Sequence, residues 1–407
     1  MKGNLILKKI KKIINKYKFL FSDMILNMVG FGIYVVSQKI ILLPIIAKQV
    51  NDNIYTSLTL FMSILNIFCN VTGGELGNVR LIKNNDYKDK KEKKKVELQK
   101  RLQKEKENFL KFFNKKVIGD FSRILLILSL LIIVIGSPIL IFLKYEYKYI
   151  LFFILTILMA NIRLYATNFY RLEKKFLKVI IQNLIYLIGI ILGLFLFNYI
   201  HEIYIVLFIP ELISIIYALF NCDLIKMGLN KTTEIKSTIK KYIGLGTISL
   251  LNNIMNYCDS ILIYPILGAQ QVAVYYAVNS VSNITSLLTN PMSSVILSWI
   301  SNAKDEKKNK IFKITLSINI PLIIIVTLIT MPLTYLSMFV LYKQYLSGIT
   351  ILVILISIST AFGTAGAFTK TILIKYTKTA NLVGIYIMYF IVLSILGIIL
   401  SKIYSLI

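Results

Sequence analysis

Ionisable side chains inside long apolar runs are few in this chain of 407 residues, and they are where chemistry would be done. Arg163 stands in MANIRLYATNFYRLEKK, about two helical turns before the basic RLEKK end, and Asn161, Thr167 and Asn168 share its run. A charge at such depth costs about 2.5–3.5 kcal/mol on insertion scales, so it faces a wet cavity or a partner. Arginine presents a planar fork that holds two phosphate oxygens at once. One reading of Arg163 is therefore a cavity cation for a phosphate group. The other is an interfacial arginine whose long stem reaches back to the headgroups.

Lys39 follows Ser37 and Gln38 in mid-run, with Gly30 and Gly32 shortly before it. It reads either as a second cavity cation or as a residue near the outer face. Arg123 and Asp120 are three apart and can pair on one helix face. Arg80, at the end of GGELGNVRLIK, reads as an anchor at the cytoplasmic side. Asp259 is the mid-run carboxylate of the second half, preceded by Asn252, Asn253, Asn256 and Tyr257. At helical spacing Asn252, Asn256 and Asp259 share one face. Such a face either packs by interhelical hydrogen bonds or lines water, where the carboxylate would bind a cation or pair with an arginine. Glu211, after Pro210, is expected at the interface near the outer end of its run.

Other chemistry has no signature. There is no GxxxxGK[ST] phosphate loop, no HExxH and no GxSxG, and His201 is the one histidine. Cys69, Cys222 and Cys258 form no CxxC. No cofactor, metal site or disulfide framework is expected, and an enzyme is not.

The elements that must position these residues follow from composition. Hydrophobic residues make up 57% of the chain and mean hydropathy is +0.72, well above the roughly 45–50% apolar content of soluble domains. The apolar residues come in blocks of about twenty, the length of a helix crossing about 30 Å of hydrocarbon. Strands of a membrane barrel alternate and are only about ten long. The spacing predicts an all-α, polytopic membrane protein of eleven spans: 19–47, 54–76, 117–143, 148–170, 177–199, 202–221, 241–267, 270–300, 312–338, 346–368 and 380–404. The basic start is read as leading into a retained first crossing rather than a cleaved signal.

Charge orients these spans. The net charge of +28 is sorted by alternate gaps: 39 Lys and Arg fall in one set or at the span edges beside it, five in or beside the other, and Lys39, Arg123 and Arg163 lie further inside spans. Cytoplasmic loops retain basic residues, so the N-terminus is expected inside and the C-terminus outside. A basic chain of this kind points to anionic membrane lipids rather than nucleic acid. Residues 1–221 form a first lobe of six spans and 241–407 a second of five, joined by a cytoplasmic linker at 222–240. The charged stretch 83–116 has strong helix formers and no Pro or Gly, and reads as a solvated helix near the headgroups or as a docking arm.

The stretch YCDSILIYPILGAQQVAVYYAVNSVSNITSLLTNPMSSVILSWIS resembles the seventh and eighth helices of polysaccharide-repeat flippases. These belong to the multidrug/oligosaccharidyl-lipid/polysaccharide exporter (MOP) superfamily. Asp259, Leu267–Gly268, Tyr275–Tyr276 and Pro291 occupy the places of the family pattern. YKQYLSGITILVILISISTAF, GGELGNVRLI and FYRLEKKF are looser likenesses. The chain departs from the family in lacking a last helix and in the length of the 83–116 segment.

The resemblance implies two lobes around a central cavity. It also implies movement of an undecaprenyl-diphosphate-linked oligosaccharide from the inner to the outer leaflet of the cytoplasmic membrane, for O-antigen or capsule. Arg163, Lys39 and Arg123 would hold diphosphate and sugar. Asp259 would serve ion coupling or pairing, and Asn252, Asn256 and Asn168 would line the cavity. Other polysaccharide-assembly proteins are expected partners. The alternatives are a cation-coupled multidrug exporter of the same superfamily, or a membrane polysaccharide polymerase or acyltransferase.

Overall fold

The computed structural model describes residues 22, 25–80, 103–142, 145–222, 235–282, 308–377 and 379–404, with side chains before Asp120 in the third helix and from 258 to 267 outside the description. Eleven helices and no strand occur among the described residues. They are α1 Ile25–Gln49, α2 Asp52–Arg80, α3 Gln103–Phe142, α4 Tyr147–Leu172, α5 Phe176–Ile200 and α6 Ile205–Asn221. The second half supplies α7 Ile235–Leu267, α8 Ala269–Ser282, α9 Lys308–Leu341, α10 Thr350–Tyr376 and α11 Thr379–Tyr404. Seven carry a stretch long and apolar enough to cross a membrane. Large apolar side chains such as Val134, Ile320 and Leu328 are exposed, as lipid-facing residues are. The all-α, polytopic class expected from the sequence is the one observed.

Two boundaries differ from the sequence reading. The helix containing the third span is described from Gln103 and runs unbroken for 40 residues, about 60 Å at 1.5 Å per residue. Its apolar stretch is Asp120–Pro138, so the second part of the charged segment is a continuation of the spanning helix. Residues 235–240, read as linker, open α7. The rest of the linker, the start of the charged segment and Pro291 lie outside the described residues.

The chain forms two compact units. One comprises Met1–Pro44, Glu173–Leu187 and Ala277–Tyr376, the other Ile45–Leu172, Ile188–Tyr276 and Thr377–Ile407. In the first, Asn183 Nδ2 of α5 donates to Gly30 O of α1 at 2.8 Å, and Asn319 Nδ2 of α9 donates to Thr369 Oγ1 of α10 at 2.8 Å. Between membrane helices, association depends on such bonds and on close packing, because lipid is as apolar as the side chains.

The second unit achieves close packing through glycines. A Cβ on Gly73 would collide with the backbone and amide oxygens of Asn161, and one on Gly77 with the Asn168 side chain. These two glycines sit one turn apart on α2 and let α4 approach. The same spacing recurs on α5, where a Cβ on Gly189 would meet Pro210 Cα of α6 at 2.5 Å and one on Gly193 would meet Val206 Cα at 3.1 Å. Both pairs have the GxxxG spacing of close helix crossings. At the end of α7, Gly268 takes φ +82°, the left-handed conformation that ends helices and that glycine adopts without penalty.

Candidate functional site

In the first unit the candidate is Lys39. Helix α1 departs from α-helical register over Val36–Leu42, where it widens into a π-helical segment. Such insertions are rare and cluster at functional sites, because they shift hydrogen bonds and re-aim side chains. Ser37 Oγ donates to Ile33 O at 2.6 Å, and Gln38 Nε2 donates to Tyr186 Oη of α5 at 2.8 Å. Tyr186 is buried and its ring lies 5.0 Å from that of Tyr34. These contacts fix the segment just before Lys39.

Lys39 itself is half-buried and makes no hydrogen bond or ion pair among the described residues. Ten residues separate it from the Gln49 end of α1, about 15 Å along the axis. That places it in the interior of the helix rather than at its end. Intramembrane lysines without a carboxylate partner mark polar pathways more often than packing.

In the second unit Arg163 is paired with a carboxylate. Its Nε donates to Glu211 Oε2 at 2.7 Å and its Nη2 to Glu211 Oε1 at 2.9 Å. Both side chains are 2% exposed. This is a two-point fork on a carboxylate, closed between α4 and α6. Glu211, expected at the interface, is buried, because Gly189 admits Pro210 against α5 and carries the next residue inward. The sequence reading had not joined the two residues, which stand 48 apart.

Arg80, expected as an anchor, is 6% exposed. Its Nη1 donates to Tyr165 Oη at 2.8 Å, and its guanidinium lies 4.8 Å from the Phe169 ring centroid. Asn168 is also engaged in packing: its Nδ2 donates to Gly74 O at 2.9 Å, and its Oδ1 accepts from Arg171 Nη1 at 3.1 Å. Asp120 is buried on α3, and Arg123 one turn later is half-buried.

On α7 the buried polar contact comes from Asn253. Its Oδ1 accepts from Asn70 Nδ2 of α2 at 2.9 Å. Asn70 opens a second π-helical segment, Asn70–Gly74. Two groups freed there find partners on neighbouring helices. Val71 O accepts from Tyr242 Oη at 3.0 Å, and Gly74 O accepts from Asn168. Thr72 Oγ1 also donates to Asn161 Oδ1 at 2.8 Å. Asn252 is half-buried and Asn256 exposed. The side chain of Asp259 lies outside the described residues. No group of His, Cys, Asp and Glu able to hold a metal occurs among the described residues.

Among solved structures the chain is similar to an inward-facing multidrug resistance transporter of the MATE family in the MOP superfamily. The TM-score is 0.50 at 14% identity, with 94% of each chain covered. At that identity the likeness is one of fold. No family model and no curated protein matches the chain. The chain is thus an all-helical, multi-pass membrane protein whose fold is similar to that of this transporter.

Proposed function

We propose that the chain is a transporter that carries an undecaprenyl-diphosphate-linked oligosaccharide from the inner to the outer leaflet of the cytoplasmic membrane, for surface polysaccharide such as O-antigen or capsule. The observation that carries this reading is the balance of charge inside the spans. Glu211 is neutralised by Arg163, and Asp120 is buried at the start of its apolar stretch. Among the described in-span side chains, Lys39 is left as a partly buried cation in the interior of α1 without a carboxylate partner. A cation so placed suits an anionic diphosphate and repels a cationic drug. The basic gaps set the N-terminus inside and the C-terminus outside.

The second reading is a cation-coupled multidrug exporter, and the named character of the MATE transporter of similar fold favours it. The two differ in cargo charge. In proteoliposomes, Lys39→Ala is expected to slow translocation of the lipid-diphosphate-linked sugar by about tenfold or more, the loss of one charge-assisted hydrogen bond of about 1.5–3 kcal/mol. Lys39→Arg retains most of the rate. An unchanged rate in Lys39→Ala removes the residue from the pathway. Resistance to cationic drugs on overexpression, without sugar translocation, would replace the first reading by the second.

A further inference from the structure

Arg80 is a buried cation that transport does not explain. Its one hydrogen bond among the described residues goes to Tyr165, and no carboxylate among them pairs with it. Three rings surround it, with the guanidinium 4.8 Å from the Phe169 centroid, 5.7 Å from Tyr165 and 6.0 Å from Phe121. Each cation–π contact is worth about 0.5–2 kcal/mol, whereas taking a charge out of water costs several kcal/mol. The rings hold the group in place without neutralising it. Of the five N–H donors of a guanidinium, one is used.

The location specifies the missing anion. Arg80 is the last described residue of α2, and in the sequence the apolar run gives way to the charged stretch from Lys83 directly after it. A basic residue where an apolar span gives way to charge is expected near the lipid headgroups. On the proposed orientation this is the inner leaflet. The apolar cluster beneath it joins Leu76 and Val79 of α2, Phe121 of α3, Tyr165 of α4 and Ile235 of α7. The same end of α7 exposes Lys236 and Lys240, which raise the local concentration of anions.

We propose that Arg80 and its ring cage form a binding site for a phosphate group, which pairs with a cation that has no carboxylate partner among the described residues. The planar fork accepts two phosphate oxygens while Tyr165, Phe169 and Phe121 fix its plane. The chemistry is shared by a phospholipid headgroup and free phosphate. The site stands independently of the transport reading.

The test is thermal unfolding of the full chain in detergent, read with a thiol-reactive dye that reports exposure of the buried Cys69 and Cys222. Phosphatidylglycerol, phosphatidylcholine and inorganic phosphate are added in separate arms. A ligand bound to the folded state alone raises the midpoint, here by at least about 3 °C at saturation. The increment is expected from a phosphate-bearing additive with wild type, to survive in Lys343→Gln of the other unit, and to vanish in Arg80→Gln. A rise with inorganic phosphate assigns free phosphate, and a rise with phospholipid alone assigns a headgroup. An equal increment in Arg80→Gln overturns the site. Should that variant not fold, wild type decides: no increment from any arm overturns it as well.

Discussion

Glu211→Ala is expected to destabilise the protein by about 3–5 kcal/mol, because it strands the Arg163 guanidinium in a buried site. Both side chains are 2% exposed and joined at two points. Neither water nor headgroups can take over the lost carboxylate. The double replacement Arg163→Met with Glu211→Leu removes both charges and keeps the volume, so most of the lost stability should return. The same experiment fixes what the pair does. A folded double variant that still transports makes the pair a structural clamp between α4 and α6. Loss of transport in a stable double variant would restore a cargo role to Arg163. Thermal midpoints and the yield of monodisperse protein measure the first part, and a change of less than about 0.5 kcal/mol in Glu211→Ala would contradict it.

Gly73→Ala should rank next. The added methyl would run into the Asn161 backbone oxygen, which cannot swing away as a side chain can. Overpacking of this kind costs about 1–3 kcal/mol. The neighbouring Thr72–Asn161 hydrogen bond would be strained along with it. Gly74→Ala is the internal control. Its Cβ meets nothing closer than Cys69 O at 3.5 Å, and replacing a helical glycine by alanine otherwise stabilises by roughly 0.5–1 kcal/mol. The two adjacent substitutions are thus expected to move the thermal midpoint in opposite directions. Equal effects would mean that α2 does not approach α4 as closely as its backbone is placed.

Much of this fold can be read from charge and apolar block length. The alternation of basic gaps predicts a directional set of crossings, and the apolar blocks between the gaps are helices wherever they are described. The partners of the in-span charges could not be read the same way. Arg163 is conspicuous alone, but nothing local marks Glu211 as its mate, since the contact depends on how α5 admits Pro210. The GxxxG spacing of Gly73–Gly77 and Gly189–Gly193 is present in the sequence and would have located both close crossings. The π-helical segments around Lys39 and after Asn70 have no compositional signature. They are changes of hydrogen-bond register that neighbouring helices stabilise. On α7, helical phase correctly separates Asn252 and Asn256 from Asn253. Which face is buried depends on α2, so the buried asparagine was missed.

The central claim concerns cargo, and its most direct measurement uses the purified chain alone in liposomes. A lipid-diphosphate-linked oligosaccharide is placed in one leaflet, and its arrival in the other is followed by a membrane-impermeant lectin or glycosidase. The account predicts translocation that depends on the protein and on Lys39. No translocation by folded protein, together with protein-dependent movement of a cationic drug across the same liposomes, would contradict it.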